Sequence, residues 1–142
     1  MEIARILLIE DNIDHARLII EELELESDKE EIVCIKDGQK AIDYFQNISG
    51  NGEIHTQVDL VLLDLNLPKV PGIEILRFLK NDSKFCGIPV IILSTSYDPE
   101  TISEVYEEGA NGFITKPVSY GDFAEKIKYV KKYWLDVNTL PS

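Results

Sequence analysis

Short apolar runs alternate with stretches of helical periodicity from one end of the chain to the other. Five runs are too short for a helix: Arg5-Ile6-Leu7-Leu8-Ile9, Glu31-Ile32-Val33-Cys34-Ile35, Leu60-Val61-Leu62-Leu63, Ile88-Pro89-Val90-Ile91-Ile92-Leu93 and Gly112-Phe113-Ile114-Thr115. Apolar runs of this length predict strands covered on both faces, the habit of parallel sheets, and Pro89, with no amide to donate, belongs near a strand start. Between the runs, apolar residues recur at helical spacing: Ala16, Ile19, Ile20 and Leu23; Ala41, Phe45 and Ile48; Ile75, Leu76 and Leu79; Ile102, Val105 and Tyr106; Phe123, Ile127, Val130 and Trp134. Each set gives one helix an apolar stripe. Five strand–helix units follow, an α/β fold around a parallel sheet. Two stretches break the rhythm. Residues 21–31 hold seven acids and one lysine and read as a solvated helix end and turn. Residues 46–57, with Gly50-Asn51-Gly52 and His55, read as a polar loop inserted between the second helix and the third strand.

Composition narrows what such a fold can do. The 142 residues suit one domain, and 44% hydrophobic against 28% charged residues supports a core of ordinary size. Fourteen basic and 26 acidic residues leave a formal charge of −12, which repels polyphosphate backbones and anionic lipid, so neither nucleic acid nor a membrane is an expected partner. The first apolar run meets Glu10-Asp11 after a handful of residues, too soon for a signal peptide or a span, and a cytoplasmic protein is expected. Cys34 and Cys86 lack metal-ligand spacing and are expected to be reduced and structural.

Ligands of parallel α/β sheets sit beyond the carboxyl ends of the strands. Four of the five predicted strands end in polar residues: Glu10-Asp11, Asp64, Ser94-Thr95, and Lys116 followed by Pro117. Convergence would gather three carboxylates, a hydroxyl and an ammonium on one rim. Clustered carboxylates repel until a proton or a cation settles among them, and hard oxygens without His or Cys favour Mg²⁺. Asp64 follows the deepest apolar run and is the candidate nucleophile toward phosphorus, forming an acyl phosphate. Lys116 can pair with phosphoryl oxygens as a point charge, and the Ser94 hydroxyl can donate to one of them. A cis Lys116–Pro117 bond is expected, to turn the lysine back over the phosphate.

This ordered set resembles the response-regulator receiver domain of two-component signalling. The motifs are Glu10-Asp11, Asp64 with Asn66 two residues on, Pro68 and Gly72 in the following loop, Ser94, and Phe113-Ile114-Thr115-Lys116-Pro117, and the resemblance covers residues 4–130. It implies a flavodoxin-like (βα)5 sandwich with strand order 2-1-3-4-5 over a single domain, residues 1–142, whose last helix and C-terminal extension occupy 119–142. It also implies roles. Asp64 would be the phosphoacceptor, Asp11 a direct Mg²⁺ ligand, Glu10 a ligand through water, and Asn66 a ligand through its backbone carbonyl. Ser94 and Phe113 would be a switch pair and Lys116 the phosphate-sensing cation. Partners would be a cognate histidine kinase and a second copy bound through the fourth helix, fifth strand and fifth helix. Two positions depart from the common pattern: Pro71 stiffens the loop before Gly72, and Ser94 lacks the methyl of the more frequent threonine, which loosens the rotamer but keeps the donor. The 46–57 insertion and the ending Tyr133-Trp134-Leu135 with Leu140-Pro141 are similar to stand-alone response regulators of phytochrome-type kinases.

Other readings fit less well. A haloacid-dehalogenase-type phosphatase needs a second acid two residues after its nucleophile, where this chain has Asn66. An FMN binder of the flavodoxin type needs a first loop of glycines and hydroxyls rather than Glu10-Asp11-Asn12-Ile13-Asp14. A receiver-like module that never takes phosphate would have no use for the acid set and Lys116. His15 is expected to be a solvent-exposed helix residue, and Tyr44 and Tyr106 to pack on the sheet or a helix. Tyr120, Tyr129, Tyr133 and Leu135 exceed what one core stripe needs and are expected in water or at an interface.

Overall fold

The computed structural model describes residues 3–25, 30–50 and 58–140. Strands β1 (Ala4–Ile9), β2 (Glu30–Ile35), β3 (Leu60–Asp64), β4 (Val90–Ser94) and β5 (Gly112–Thr115) pair in parallel in the order β2-β1-β3-β4-β5. Helices α1 (Ile13–Glu24), α2 (Gly38–Gly50), α3 (Gly72–Asn81), α4 (Pro99–Glu107) and α5 (Tyr120–Lys131) follow the strands in turn, and a π-helical turn, Lys132–Val137, continues α5. This is the flavodoxin-like arrangement, with β1, β3 and β4 in the middle.

Successive strand residues point to opposite faces, so the sheet divides its apolar side chains between two cores. Leu7, Ile9, Val61, Leu63, Val90 and Ile92 pack with α2, α3 and Val105 of α4. Ile6, Leu8, Leu60, Leu62, Ile91 and Leu93 pack with α1 and α5. Burial of each such side chain contributes about 1.5–3 kcal/mol before the entropy of ordering it is subtracted. The same alternation, carried to the strand ends, decides where the polar residues go. Glu10, Asp64 and Lys116 fall in step with the α1/α5 side, and Ser94 falls in step with Ile92 on the side of α4.

The central strands are fully covered, whereas the edges β2 and β5 are mostly half-buried, because each has a sheet neighbour on one side only. β4 begins at Val90, not Ile88. The Pro89 carbonyl accepts from the Val61 amide at 3.0 Å, but proline returns no donor, and the Ile88 amide is used in a turn to the Phe85 carbonyl. Residues 46–50, read from the sequence as loop, are helical: Ile48 lies one turn after Phe45 and is buried with it, which carries the apolar stripe of α2 forward. The rest of that stretch, 51–57 with His55, lies outside the described residues, as do 26–29 of the acidic run and Pro141. Leu135 packs, with Trp134, against the α1/α5 core rather than standing in water, while Tyr120, Tyr129 and Tyr133 are exposed. Tyr106 is exposed rather than packed, and Tyr44 is half-buried against Phe45. Cys34 and Cys86 are free thiols, with Cys86 on the surface.

Gly72, the first residue of α3, fixes how the strand-end loop meets the next helix. A Cβ there would lie 2.5 Å from the Asp64 carbonyl oxygen, 2.7 Å from Leu65 Cα and 2.8 Å from the Leu65 carbonyl oxygen, all backbone atoms that cannot rotate away. The Gly72 amide donates to the Leu65 carbonyl at 3.0 Å, so the contact is also a hydrogen bond. Gly72→Ala is expected to lower stability by about 1–3 kcal/mol, the usual cost of forcing extra volume into a packed site. Urea denaturation followed by circular dichroism checks this, and an unchanged midpoint would show that the loop yields freely.

Candidate functional site

Each strand delivers its polar residue one step past, or at the end of, a covered run. The Glu10 amide bonds to the Ile35 carbonyl at 3.0 Å and extends the β1–β2 ladder, the Leu65 amide bonds to Leu93, and the Lys116 amide bonds to the Ser94 carbonyl at 2.7 Å. Register aligns Asp64 with Leu93 and Ser94 with Thr115. The rim is therefore as rigid as the sheet. Glu10 and Ser94 are fully buried, Asp64 is 4% exposed and Lys116 is 7% exposed, whereas Asp11 is open to solvent.

The carboxylates of Glu10, Asp11 and Asp64 come together, with one oxygen from each within 4.8 Å of the others. Lys116 Nζ stands 2.5 Å from Glu10 Oε1 and 3.7 Å from Asp64 Oδ1. Asp64 Oδ1 accepts from the Asn66 amide at 3.1 Å, and Glu10 Oε2 accepts from the Asn12 amide at 3.3 Å. Burial, reinforced by the hydrogen bond and the charge of Glu10, pushes the Asp64 carboxyl up to about 6 against the pull of Lys116 and the Asn66 amide. Burial and then Asp64 raise Asp11 as well. Three acids facing one ammonium, two of them holding protons more tightly than ordinary aspartates, are a donor set short of positive charge. All donors are hard oxygens, which fits a small divalent cation.

The Lys116–Pro117 bond is trans, contrary to the expectation of a cis turn. No reversal is needed, because Lys116 continues the alternation of β5 one residue past the strand and the sheet already aims its side chain at Asp64. Ser94 Oγ accepts from the Ser96 amide at 3.1 Å, leaving its own proton free to donate. Phe113 pairs with Ile92 in the β4–β5 ladder, two residues before Ser94 in register, and packs half-buried against the core on the α4 side. Asn66 is exposed in the β3–α3 loop. In that loop Lys69 adopts φ of 67°, a left-handed conformation costly for a residue with a Cβ, and its Nζ lies 3.7 Å from Asp37 Oδ2. The Lys40 amide first, and then the Lys69 and Lys40 side chains, hold the Asp37 carboxyl below its ordinary range.

All the residues singled out at the strand ends thus lie on one rim. Near this rim, sequence reading misplaces His15. It is half-buried, with Nδ1 3.1 Å from Lys116 Nζ and its ring edge-on to Phe123 at 5.5 Å. Its position four residues after Asp11, on the first turn of the helix that leaves the site, is the available signal.

The family model for the response regulator receiver domain matches residues 6–128. The chain belongs to this family. Receiver domains are signalling modules of two-component systems, and they bind Mg²⁺ or Mn²⁺ at an acidic pocket, which the Glu10–Asp11–Asp64 group fits. Among similar proteins, the probable methanogenesis regulatory protein FilR2 of Methanothrix harundinacea is 37% identical over 96% of this chain and 86% of its own length. Response regulator Rcp1 of Synechocystis is 34% identical over 96% of this chain and 92% of its own length, and its Mn²⁺-bound crystal structure superposes with a TM-score of 0.90. The phosphorylated cyanobacterial phytochrome response regulator RcpA superposes with a TM-score of 0.91, at 37% identity, over 99% of each chain. The likeness to phytochrome response regulators, read from the 46–57 insertion and the chain end, extends over 99% of this chain in the RcpA superposition.

The raised carboxyl of Asp64 has a consequence for stability. Folding lifts it from 3.8 to about 6, so between those values the native state binds more protons than the unfolded chain, and stability falls as pH rises. The penalty is fully present at pH 7, mostly relieved at pH 4, and gone below the unfolded value of 3.8. Asp64→Asn is therefore expected to be more stable than wild type at pH 7 by about 1–3 kcal/mol, since each tenfold change in proton affinity on folding is worth about 1.4 kcal/mol. The gap should close on acidification, as read from paired urea titrations between pH 4 and 7. A gap of the same size at every pH would place the charge effect elsewhere.

Proposed function

We propose that this receiver domain takes a phosphoryl group from a histidine kinase onto Asp64, with Mg²⁺ as cofactor, and passes the signal on through altered protein–protein contacts. The observation that carries this reading is the near-buried Asp64 at the end of the central strand β3, with Lys116 and two further acids around it. Glu10, Asp11 and Asp64, with the Asn66 backbone carbonyl, would hold the metal. When bound, the ion offsets the repulsion between these acids and an incoming phosphate. An Asp64 carboxylate oxygen forms the bond to phosphorus as the phosphorus–nitrogen bond of the phosphohistidine breaks, and the imidazole leaves with its electron pair and takes up a proton. Lys116 then pairs with a phosphoryl oxygen and Ser94 donates its hydroxyl proton to another. The same groups later assist loss of the phosphoryl group to water.

Ser94 and Phe113 form the switch pair in this reading. As the hydroxyl moves toward the phosphoryl oxygen, the half-buried Phe113 ring gains room on the α4 side of β5, and the surface there changes state. Two relatives, a phosphorylated RcpA and an Mn²⁺-bound Rcp1, support the phosphoacceptor and metal roles. A stand-alone regulator of the phytochrome type, working in the cytoplasm, is the setting in which we place the chain. Among the described residues no helix is long and apolar enough to cross a membrane.

Intact-mass measurement after incubation with acetyl phosphate tests the central step. Wild type should gain one phosphoryl group with Mg²⁺ and none with a chelator, Asp64→Asn should gain none, and Asp11→Ala should fall by roughly tenfold or more, the scale of a lost metal contact. Phosphate persisting on Asp64→Asn would move the acceptor elsewhere.

A second copy of the chain is the proposed partner of the α4–β5–α5 surface; Tyr106 on α4, Tyr120 and Tyr129 on α5 and Tyr133 on the π-turn that continues α5 stand exposed at 49–60%. Tyrosines are enriched in the buried centres of such interfaces, and Tyr129 and Tyr133 are one helical turn apart. Sedimentation velocity across concentration should show a dimer that Tyr129→Asp with Tyr133→Asp dissociates. A wild type that stays monomeric both with and without phosphate would remove the homodimer from this reading.

A further inference from the structure

The Lys116 ammonium has three N–H bonds, and two are already taken. One goes to Glu10 Oε1 at 2.5 Å and one points to His15 Nδ1 at 3.1 Å, while Asp64 Oδ1 is only the third-nearest neighbour at 3.7 Å. An ammonium has no lone pair, so Nδ1 must be the acceptor and the ring proton sits on Nε2. The ring is held in place for this. Asn12 caps α1 by accepting from the His15 amide at 3.0 Å, which fixes the backbone, and the imidazole meets Phe123 and Tyr120 of α5 edge-on at 5.5 and 6.2 Å. The charged groups facing it are Lys116 from the end of β5, Asp64 from β3, and Asp14 and Asp11 from its own end of the chain. Burial and then Lys116 lower its pKa from 6.5, and the three acids oppose them without reversing the shift. The ring is neutral at pH 7.

We propose that His15 is a positioning residue that, with Glu10, holds the Lys116 ammonium 3.7 Å from Asp64, beyond hydrogen-bond reach, so that the site gives up the Lys116–His15 hydrogen bond when Lys116 moves to a phosphoryl oxygen on Asp64. The proposal rests on the reading of Asp64 as phosphoacceptor. It goes further by giving a function to a residue outside the acid set and the switch pair. Glu10 is fully buried and anchored by its amide in the β1–β2 ladder, so it stays beside Lys116 in both states, whereas the half-buried His15 can turn to solvent when released. The bond to His15 is therefore the adjustable part. It sets how strongly the unphosphorylated site holds its cation back, and hence the balance between the two states.

Beryllofluoride, a phosphoryl mimic that binds receiver aspartates reversibly, reads this balance at equilibrium. Three proteins would be titrated with it in saturating Mg²⁺: wild type, His15→Phe, which keeps a ring between Phe123 and Tyr120 but has no acceptor, and His15→Gln, which restores an acceptor oxygen. Losing one hydrogen bond to a charged group from the unphosphorylated state should tighten His15→Phe by roughly tenfold, and His15→Gln should stay within about twofold of wild type. Equal or weaker binding by His15→Phe, or the same gain in His15→Gln, would overturn the hold on Lys116 while leaving Asp64 as acceptor. A wild type that binds no beryllofluoride would remove the phosphoacceptor reading and the hold together. Nitrogen NMR of the imidazole supplies an arm independent of the mimic: Nδ1 should be unprotonated at pH 7, with its resonance moving in Lys116→Met. A protonated Nδ1 would defeat the proposal on its own.

Discussion

The structure turns on one electrostatic constraint: Glu10 and Asp64 are placed out of water at the end of a sheet, with Asp11 beside them and a single ammonium to answer three acids. Removing carboxylates from water is expensive, and one well-placed partner seldom repays two of them. The sheet prevents the ordinary escape. Glu10 is tied by its amide to Ile35 and the residue after Asp64 is tied to Leu93, so neither acid can swing outward without breaking the ladder. What remains is to take up a proton, which is why Asp64 titrates near 6, or to accept a cation. A site built this way is held short of positive charge by the rest of the fold, and that shortage is the source of its chemistry.

Much of this is legible in the chain as pattern. The five apolar runs predict strands because four to six apolar residues cannot make a helix, and the polar residues that close them mark the rim without any knowledge of their spacing in three dimensions. Ser94 and Lys116 can be placed together because parallel pairing brings equivalent strand ends together. The missing parts fail for definite reasons. A loop over 46–57 rests on polarity, yet Ile48 alone is enough to hold another turn of α2 against the core. Leu135 looks superfluous on a straight α-helix, but the chain widens into a π-turn after Lys131, and both Trp134 and Leu135 reach the α1/α5 core. The expected cis bond comes from assuming that the backbone must aim Lys116, when side-chain alternation does so.

Interactions that join residues far apart in sequence are illegible there. Lys80 illustrates this: on sequence it is one more surface lysine near a helix end. In the fold its ammonium reaches the carbonyls of Cys86 and Ile88 and the side chain of Asn111, which in turn accepts from the Val90 amide. It rivets the starts of β4 and β5, the ends opposite the acidic rim. His15 is the same case at the other end of the sheet. A helix of known stripe places it off the core face, and only the length of Lys116 makes the two meet.

If Asp64 takes a phosphoryl group as proposed, the alternation that builds two cores also gives that group two listeners. On the proposed reading, Lys116 answers on the α1/α5 side, where it meets His15, whose ring packs against Phe123 and Tyr120, and Ser94 answers on the other side, where Phe113 and α4 lie. Both are adjacent residues of one ladder, since the Lys116 amide bonds to the Ser94 carbonyl at 2.7 Å. A shift of either strand end is therefore carried to the other through backbone, not through a chain of side chains. The two sides differ in what resists movement. Ser94 is fully buried and its neighbour Phe113 is half-buried, so motion there displaces packed atoms, whereas Lys116 exchanges one hydrogen-bond partner for another at almost constant volume. Packing resists displacement steeply and an exchange of hydrogen-bond partners does not. On the proposed reading, then, the lysine side sets how readily phosphate is taken up, and the serine side sets how sharply the surface changes once it is there.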